Sequence, residues 1–144
     1  GRASHAGMVY FCTLAKKSAI GEAGKCTLPS RQRLSWWIEP RPRDLEQLFP
    51  LAAGEAAFDY EALGTERLVL RHRREGDVLY PYGMKGKKLL RRIFIDGKYT
   101  HQERREALLI CKEGAPLWLV GHVADSTYAL SVHTRKVLRL TYHP

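Results

Sequence analysis

Short apolar stretches recur along the chain, and one of them, Val137–Tyr142, alternates apolar and polar positions as a strand with one buried face does. Stretches of this kind, rich in strand-forming residues, are Val9–Leu14, Arg33–Ile38, Leu68–Leu70 and Val137–Tyr142. The apolar run Leu108–Cys111 is followed by a turn at Glu113–Gly114 and by Leu117–Gly121, which predicts a hairpin. The pattern therefore predicts antiparallel strands joined by short connections.

One stretch has the period of a helix instead of a strand. Between Lys88 and Asp96 one face would be apolar and the opposite face basic, and Gly97 is a typical helix end. The apolar face would hold Leu89, Leu90, Ile93 and Phe94, and the basic face Lys88, Arg91 and Arg92. The predicted fold class is therefore α+β: a small layered domain dominated by antiparallel β-sheet, with one basic amphipathic helix.

The regularity of the pattern changes near Gly54. Residues 1–7 lack the apolar segment of a signal peptide, and we interpret them as a remnant of cloning ahead of Met8. Residues 8–55 carry a turn at Gly21–Gly24 and a short helical turn at Asp44–Phe49, which is typical of a connector or appendage. Residues 56–144 are predicted to form the main, C-terminal domain.

Composition excludes several classes of protein. The chain has 144 residues, of which 44% are hydrophobic, a content typical of globular proteins. It contains no apolar run long enough for a membrane helix. Its three cysteines form no CxxC pair and its six histidines no HxH or HExxH motif, so neither a disulfide framework nor a metal site is predicted. A reducing cytoplasm is the expected location.

The positive charge is concentrated in one part of the chain. The net charge is +9, and residues 71–98 hold 9 basic and 3 acidic side chains, so this segment contributes 9 − 3 = +6. A local positive field of this kind is typical of proteins that bind nucleic acids. A solvated basic face with no ligand would give the same count, so charge alone leaves both interpretations open.

The basic segment also carries the candidate binding residues. Two glycines, Gly83 and Gly86, would let the backbone approach a phosphate, although their spacing is not that of a Walker loop. The cations predicted to contact RNA phosphates are Arg71, Arg74, Lys85, Lys87, Lys88, Arg91 and Arg92. Asp77 is interpreted as a turn cap or a partner of a nearby arginine, and Asp96 as a helix-end residue. A solvated turn beside an amphipathic helix remains the alternative.

No catalytic residue is predicted, because no Ser/His/Asp or Cys/His arrangement is present. Cys111 and Trp118 lie in apolar strands and are predicted to be core residues. Trp36 and Trp37 are neighbours in a strand and should point to opposite faces, so one of them could stack on a base.

Several separated motifs carry a resemblance to a known family. In order they are Ala57–Tyr60, Leu68–Arg71, Gly76–Asp77, Pro81, Gly83–Gly86, Ile93–Asp96, Lys98, Trp118–Gly121, Asp125 and Thr134–Leu138. Over about residues 56–140 the chain resembles the C-terminal domain of tRNA(Ile)-lysidine synthetases. Residues 8–55 resemble the upstream connector only weakly.

The resemblance implies a cytoplasmic bacterial enzyme that uses ATP to attach lysine to a cytidine of tRNA(Ile). ATP and magnesium would belong to an N-terminal catalytic domain that this chain lacks, so no cofactor is expected here and the chain alone is not expected to be catalytic. The implied fold resembles the tRNA-binding module of the phenylalanyl-tRNA synthetase β subunit. The implied partners are tRNA(Ile), gripped at the acceptor stem, and the catalytic domain, with a homodimer possible and no membrane.

By position, Arg71, Gly83, Lys85, Gly86 and Lys88 match family motifs, and we expect Arg71 and Lys85 to contact or organise the phosphate backbone. Four positions depart from the family pattern. Arg73 stands where tryptophan is common and Arg92 where an acid is common, and Val123 and Thr127 stand where the family has arginine.

Two other interpretations remain. The chain could be a dimerisation or interdomain-packing module with no RNA binding of its own. A free-standing enzyme is the least supported interpretation, because the sequence has no nucleotide loop.

Overall fold

The computed structural model describes residues 9–12, 21–28, 31–64 and 68–144. These residues form two compact units. The first unit takes its described residues from 1–13 and 67–127, and the second from 14–66 and 128–144. The predicted cloning remnant at residues 1–7 lies outside the described part of the chain.

Strands outnumber helices in the described residues, as the sequence predicts. In chain order the strands are β1 (Val9–Cys12), β2 (Ala23–Thr27), β3 (Arg33–Pro40), β4 (Glu55–Asp59), β5 (Leu68–His72), β6 (Val78–Leu79), β7 (Lys88–Leu89), β8 (Leu108–Lys112), β9 (Ala115–Leu119), β10 (Val123–Ala124) and β11 (Lys136–His143). The helices are α1 (Tyr60–Leu63), α2 (Leu90–Asp96) and α3 (His101–Glu106), with a 3-10 turn at Leu45–Leu48. All strand pairs are antiparallel.

The first unit is a five-stranded sheet, in the order β1-β5-β8-β9-β10, with the small β6–β7 hairpin and α2 packed on it. The β8–β9 hairpin has the predicted two-residue turn at Glu113–Gly114. Apolar residues of α2 and β6 bury against the sheet residues Leu109 and Leu119 and against Cys111, which is a core residue as predicted. This packing fixes the position of α2 and of the segments on either side of it.

The predicted helix begins two residues too early. Lys88 and Leu89 pair with β6 as strand β7, and the helix begins at Leu90. Leu89 is therefore 47% exposed and does not belong to the apolar face, which consists of Leu90, Ile93 and Phe94. Helical periodicity missed this boundary because the pairing with Val78 is a tertiary contact.

The prediction of a single helix is also wrong, because α1 and α3 are present. The sequence did contain the signal for α3. The hydroxyl of Thr100 accepts a hydrogen bond from the Glu103 backbone N–H, and the Glu103 carboxylate accepts one from the Thr100 backbone N–H. This reciprocal capping box requires threonine and glutamate three residues apart, which the sequence shows.

The second unit is a four-stranded sheet in the order β2-β3-β11-β4. One face is apolar, because Trp36 and Ile38 lie opposite Leu140 and Leu138 and all four are buried. Trp37 lies on the other face, as predicted, where the Arg139 guanidinium sits 5.4 Å from the centre of its ring. Neither tryptophan is fully exposed.

The two units do not follow the predicted division at residues 55 and 56. The last strand, β11, pairs with β3 on one side and with β4 on the other, so the second unit draws on both parts of the chain. The predicted division marks where the family resemblance begins. The assignment of residues 8–55 to an upstream connector and of residues 56–144 to the C-terminal domain stays a prediction. The predicted turn at Gly21–Gly24 is shorter, because β2 begins at Ala23. No helix of the described residues is long and apolar enough to cross a membrane.

Candidate nucleic-acid interface

A buried ion pair lies at the centre of the basic segment. Arg71, at the end of β5, donates from Nη2 to Oδ1 of Asp77 at 2.8 Å and from Nη1 to Oδ2 at 3.0 Å. The same guanidinium donates to the backbone carbonyls of His72 and Gly114 at 2.9 and 3.1 Å. The hydrogen bond with Asp77 is the main reason why the pKa of Arg71 is raised. The predicted pairing of Asp77 with a nearby arginine is confirmed.

The burial of Arg71 changes its predicted role. The residue is 2% exposed, and its side chain reaches across to the β8–β9 turn, so it presents no surface for direct contact with a phosphate. Of the two predicted roles, direct contact does not fit this burial, and an organising role stays a prediction. Oδ2 of Asp77 also accepts a hydrogen bond from the Arg74 backbone N–H at 2.8 Å, so the pair fixes the turn that follows β5.

That turn presents two arginines to solvent. Arg73 and Arg74 are both exposed, and neither forms an ion pair with a described residue. The next residues are Glu75, which is exposed, and Gly76, and the turn closes where the Asp77 N–H donates to the Arg74 carbonyl at 3.2 Å. Arg74 was predicted as a contact residue, whereas Arg73 was noted only as a departure from the family pattern.

Two of the predicted contact residues are engaged by Asp96. Nζ of Lys88 lies 2.6 Å from Oδ2 of Asp96, and Nε of Arg92 lies 3.4 Å from Oδ1. Asp96 has its pKa lowered, first by the hydrogen bond with Lys88. Asp96 partly neutralises the charges of Lys88 and Arg92, so these two residues are weaker candidates for phosphate contact than the sequence alone indicated. Arg91 lies on α2 next to Arg92, is exposed and forms no ion pair with a described residue.

The glycine loop between β6 and β7 is exposed from Tyr82 to Lys87. Gly83 and Gly86 have φ of 76° and 79°, values that side-chain-bearing residues rarely adopt, and a Cβ at either position would meet nothing within 4 Å. Backbone conformation therefore accounts for both glycines, and their predicted backbone contact with phosphate stays a prediction. Lys85 and Lys87 extend the exposed positive charge and form no ion pair with a described residue.

Two tyrosines of this loop region were missed by the sequence interpretation. Tyr80 and Tyr82 are about 45% exposed, and such rings beside lysines can stack on bases. Buried Asp125 holds the start of the loop, because its Oδ2 accepts from the Tyr80 N–H at 2.8 Å. Burial, and then the Asp125 carboxylate, raises the pKa of Tyr82. The Tyr-Pro-Tyr sequence directly before the glycines was the signal that could have identified both rings.

A cavity of about 580 Å³ joins the turn to the helix. It is lined by Arg73, Arg74, Glu75, Gly76, Asp77, Leu89, Leu90, Arg91 and Phe94. Its rim is cationic and one wall is apolar, so an anion with an attached apolar or planar group would fit its chemistry. Among the described residues, no group of three or more His, Cys, Asp or Glu side chains could hold a metal ion.

The seven predicted cations thus fall into two groups, all within the first unit. Arg71, Lys88 and Arg92 are engaged by carboxylates. Between residues 73 and 91, the exposed cations that form no ion pair with a described residue are Arg74, Lys85, Lys87 and Arg91, together with Arg73. We call these five side chains the free cations.

The chain is similar to proteins of one family. Residues 68–140 match the family model described as the TilS substrate C-terminal domain. A tRNA(Ile)-lysidine synthase of Porphyromonas gingivalis is 36% identical over 112 residues, which are 72% of this chain and 23% of that protein. The enzymes of the same name from Parabacteroides distasonis and Clostridium acetobutylicum are 34% and 36% identical, over 65% and 58% of this chain and 22% and 18% of their own lengths.

The chain spans about a quarter of the length of the curated relatives it matches. A crystal structure of a TilS C-terminal domain superposes with a TM-score of 0.70, covering 94% of this chain and 97% of that one. At 22% identity, this likeness concerns the fold. The family model covers half of the sequence, and with it the predicted resemblance is confirmed. The chain belongs to the TilS substrate C-terminal domain family.

Proposed function

We propose that this chain is the tRNA-binding C-terminal region of a tRNA(Ile)-lysidine synthase and that it holds the tRNA by its phosphates. The observation that carries the proposal is the set of five free cations in the first unit. Their charge is not balanced by a bonded carboxylate, unlike the charge of Arg71, Lys88 and Arg92. Glu75 is the exposed acid among them.

Free and engaged cations differ in what they gain from a phosphate. A lysine or arginine that is already paired must break or share its ion pair before it binds, whereas an unpaired one only exchanges solvent and counterions. Each phosphate neutralised by a free cation releases a condensed counterion, which favours binding at low salt. The buried Arg71–Asp77 pair supports this surface by holding the turn that carries Arg73 and Arg74.

The proposal for the whole protein rests on the family. The protein would use ATP and Mg²⁺, held in a catalytic domain outside this chain, to attach lysine to a cytidine of tRNA(Ile) in the cytoplasm. The C-terminal region would grip the acceptor stem and contact its own catalytic domain. A relation to the module in the phenylalanyl-tRNA synthetase β subunit stays a prediction.

The test is binding of this chain to a tRNA(Ile) transcript across a salt series. Lys85→Ala and Arg91→Ala each remove one free cation, and Lys25→Ala and Arg43→Ala remove one exposed charge of the same type from the second unit. We expect each variant in the first unit to bind several-fold more weakly and to reduce the slope of log affinity against log salt by about one. The two control variants should leave both quantities near those of the unmodified chain.

Equal effects of all four variants would mean that net charge, and not this surface, determines binding. A folded chain that binds no tRNA at low salt would refute the proposal. Sedimentation of the chain without RNA would then decide whether it is the dimerisation module that the sequence left as an alternative.

A further inference from the structure

The cavity beside α2 has a property that a simple phosphate grip does not require. A phosphate group is small and entirely polar, whereas this cavity measures about 580 Å³ and has an apolar wall. Its volume lies within the range of cavities that enclose small organic ligands, roughly 300–1,000 Å³. The unexplained feature is therefore the apolar part of the lining.

Leu89 is the main part of this wall that a ligand can reach. The residue is 47% exposed, whereas the other apolar lining residues, Leu90 and Phe94, are buried in the core. Its exposure follows from the β7 pairing with Val78, which takes Leu89 out of the helix and away from the apolar face of α2. An exposed leucine beside unpaired arginines offers a contact for the face of a base or ribose.

The polar lining of the cavity contains both basic and acidic side chains, and the two kinds suit different groups of a ligand. Arg73, Arg74 and Arg91 line the cavity and can bind a phosphate. Asp77 is neutralised by its two hydrogen bonds from Arg71. Glu75 is exposed and can accept hydrogen bonds from a ribose hydroxyl or a base amino group, whereas an ionised backbone phosphodiester has no hydrogen to donate.

We propose that this cavity binds one unpaired nucleotide of the RNA, with its phosphate on the arginines and its base or ribose against Leu89. The nucleotide must be unpaired, because a base stacked within a duplex cannot enter a concave site. The inference rests on the proposed function and adds to it: the RNA would be gripped by its backbone and also recognised at a position where a base is free.

The experiment compares two RNA probes and two matched variants of this chain. The probes are an unstructured oligoribonucleotide and a blunt RNA duplex with the same number of phosphates. The variants are Leu89→Ala and Ile95→Ala, because both side chains are 47% exposed but Ile95 does not line the cavity. Leu89→Met, which keeps an apolar side chain, serves as the rescue variant.

We expect Leu89→Ala to weaken binding of the single strand about fivefold, since about one buried apolar contact is lost. Binding of the duplex, and the salt dependence with either probe, should not change. Ile95→Ala and Leu89→Met should bind both probes like the unmodified chain.

A folded Leu89→Ala chain that binds the single strand normally would overturn the inference, and so would an equal loss with both probes or an equal loss in Ile95→Ala. In those cases salt-dependent binding of the duplex would still support the proposed function. Failure of both probes to bind at low salt would refute the proposed function and this inference together.

Discussion

Replacing Arg71 tests whether this residue is structural, as its burial indicates, or a direct RNA contact. Arg71→Met would leave the Asp77 carboxylate buried, with the Arg74 N–H as its remaining hydrogen-bond donor among the described residues. Removing one partner of a buried ion pair typically costs about 3–5 kcal/mol. Since domains are stable by about 5–15 kcal/mol, the first unit would lose a large part of its free energy of unfolding.

The double variant Arg71→Met/Asp77→Leu separates the cost of an orphaned charge from the net contribution of the pair. An apolar replacement of both partners removes the buried charge, so most of the lost stability should return. We expect it to remain about 1–3 kcal/mol below the unmodified chain, because the Arg74 N–H and the carbonyls of His72 and Gly114 lose their partners.

Native-state amide hydrogen exchange in β5 and β8 would measure these free energies, because both strands lie in the first unit. Arg135→Met is the matched control. Arg135 also pairs with a carboxylate, that of Glu61 at 2.9 Å, but its side chain is 79% exposed, so exchange in β4 and β11 of its own unit should hardly change. A similarly small change in β5 and β8 for Arg71→Met would refute the structural role and make Arg71 a candidate for direct phosphate contact again.

Three further predictions concern single groups. Burial raises the pKa of Cys111 to about 11, so in the native chain at pH 8 iodoacetamide should alkylate Cys111 far more slowly than the half-buried Cys26. After unfolding the two cysteines should react at similar rates. Equal rates in the native chain, measured by mass spectrometry, would contradict this prediction. Thr100→Ala removes the capping box of α3 and should lower stability by about 1 kcal/mol in a urea titration, while Thr100→Ser should lower it much less. Lys88 lowers the pKa of Asp96, so this pair stabilises the fold above the ordinary pKa of the carboxylate, and the contribution is lost as the pH falls through the lowered value. In Lys88→Met, an NMR titration should show the pKa of Asp96 closer to its ordinary value. An unchanged pKa would count against the pair.

The sequence by itself determined the local elements and the family. Alternation predicted β11, apolar and strand-forming residues predicted the strands corresponding to β3 and β5, and two turn residues between apolar runs predicted the β8–β9 hairpin. These features depend on contacts between residues close in sequence, which a periodic pattern records directly. The ordered motifs likewise identified the family, and the charge count located the basic segment.

Tertiary structure alone decided which of the basic residues are free. Arg71 is engaged because the fold brings the Gly114 carbonyl, 43 residues away in sequence, to its guanidinium and buries Asp77 beside it. Lys88 lies within reach of Asp96 because it precedes α2 in a strand that pairs with β6. Charge counting treats every lysine and arginine alike, whereas the free energy of binding a phosphate depends on burial and on existing partners, and these are set by contacts that no local pattern contains.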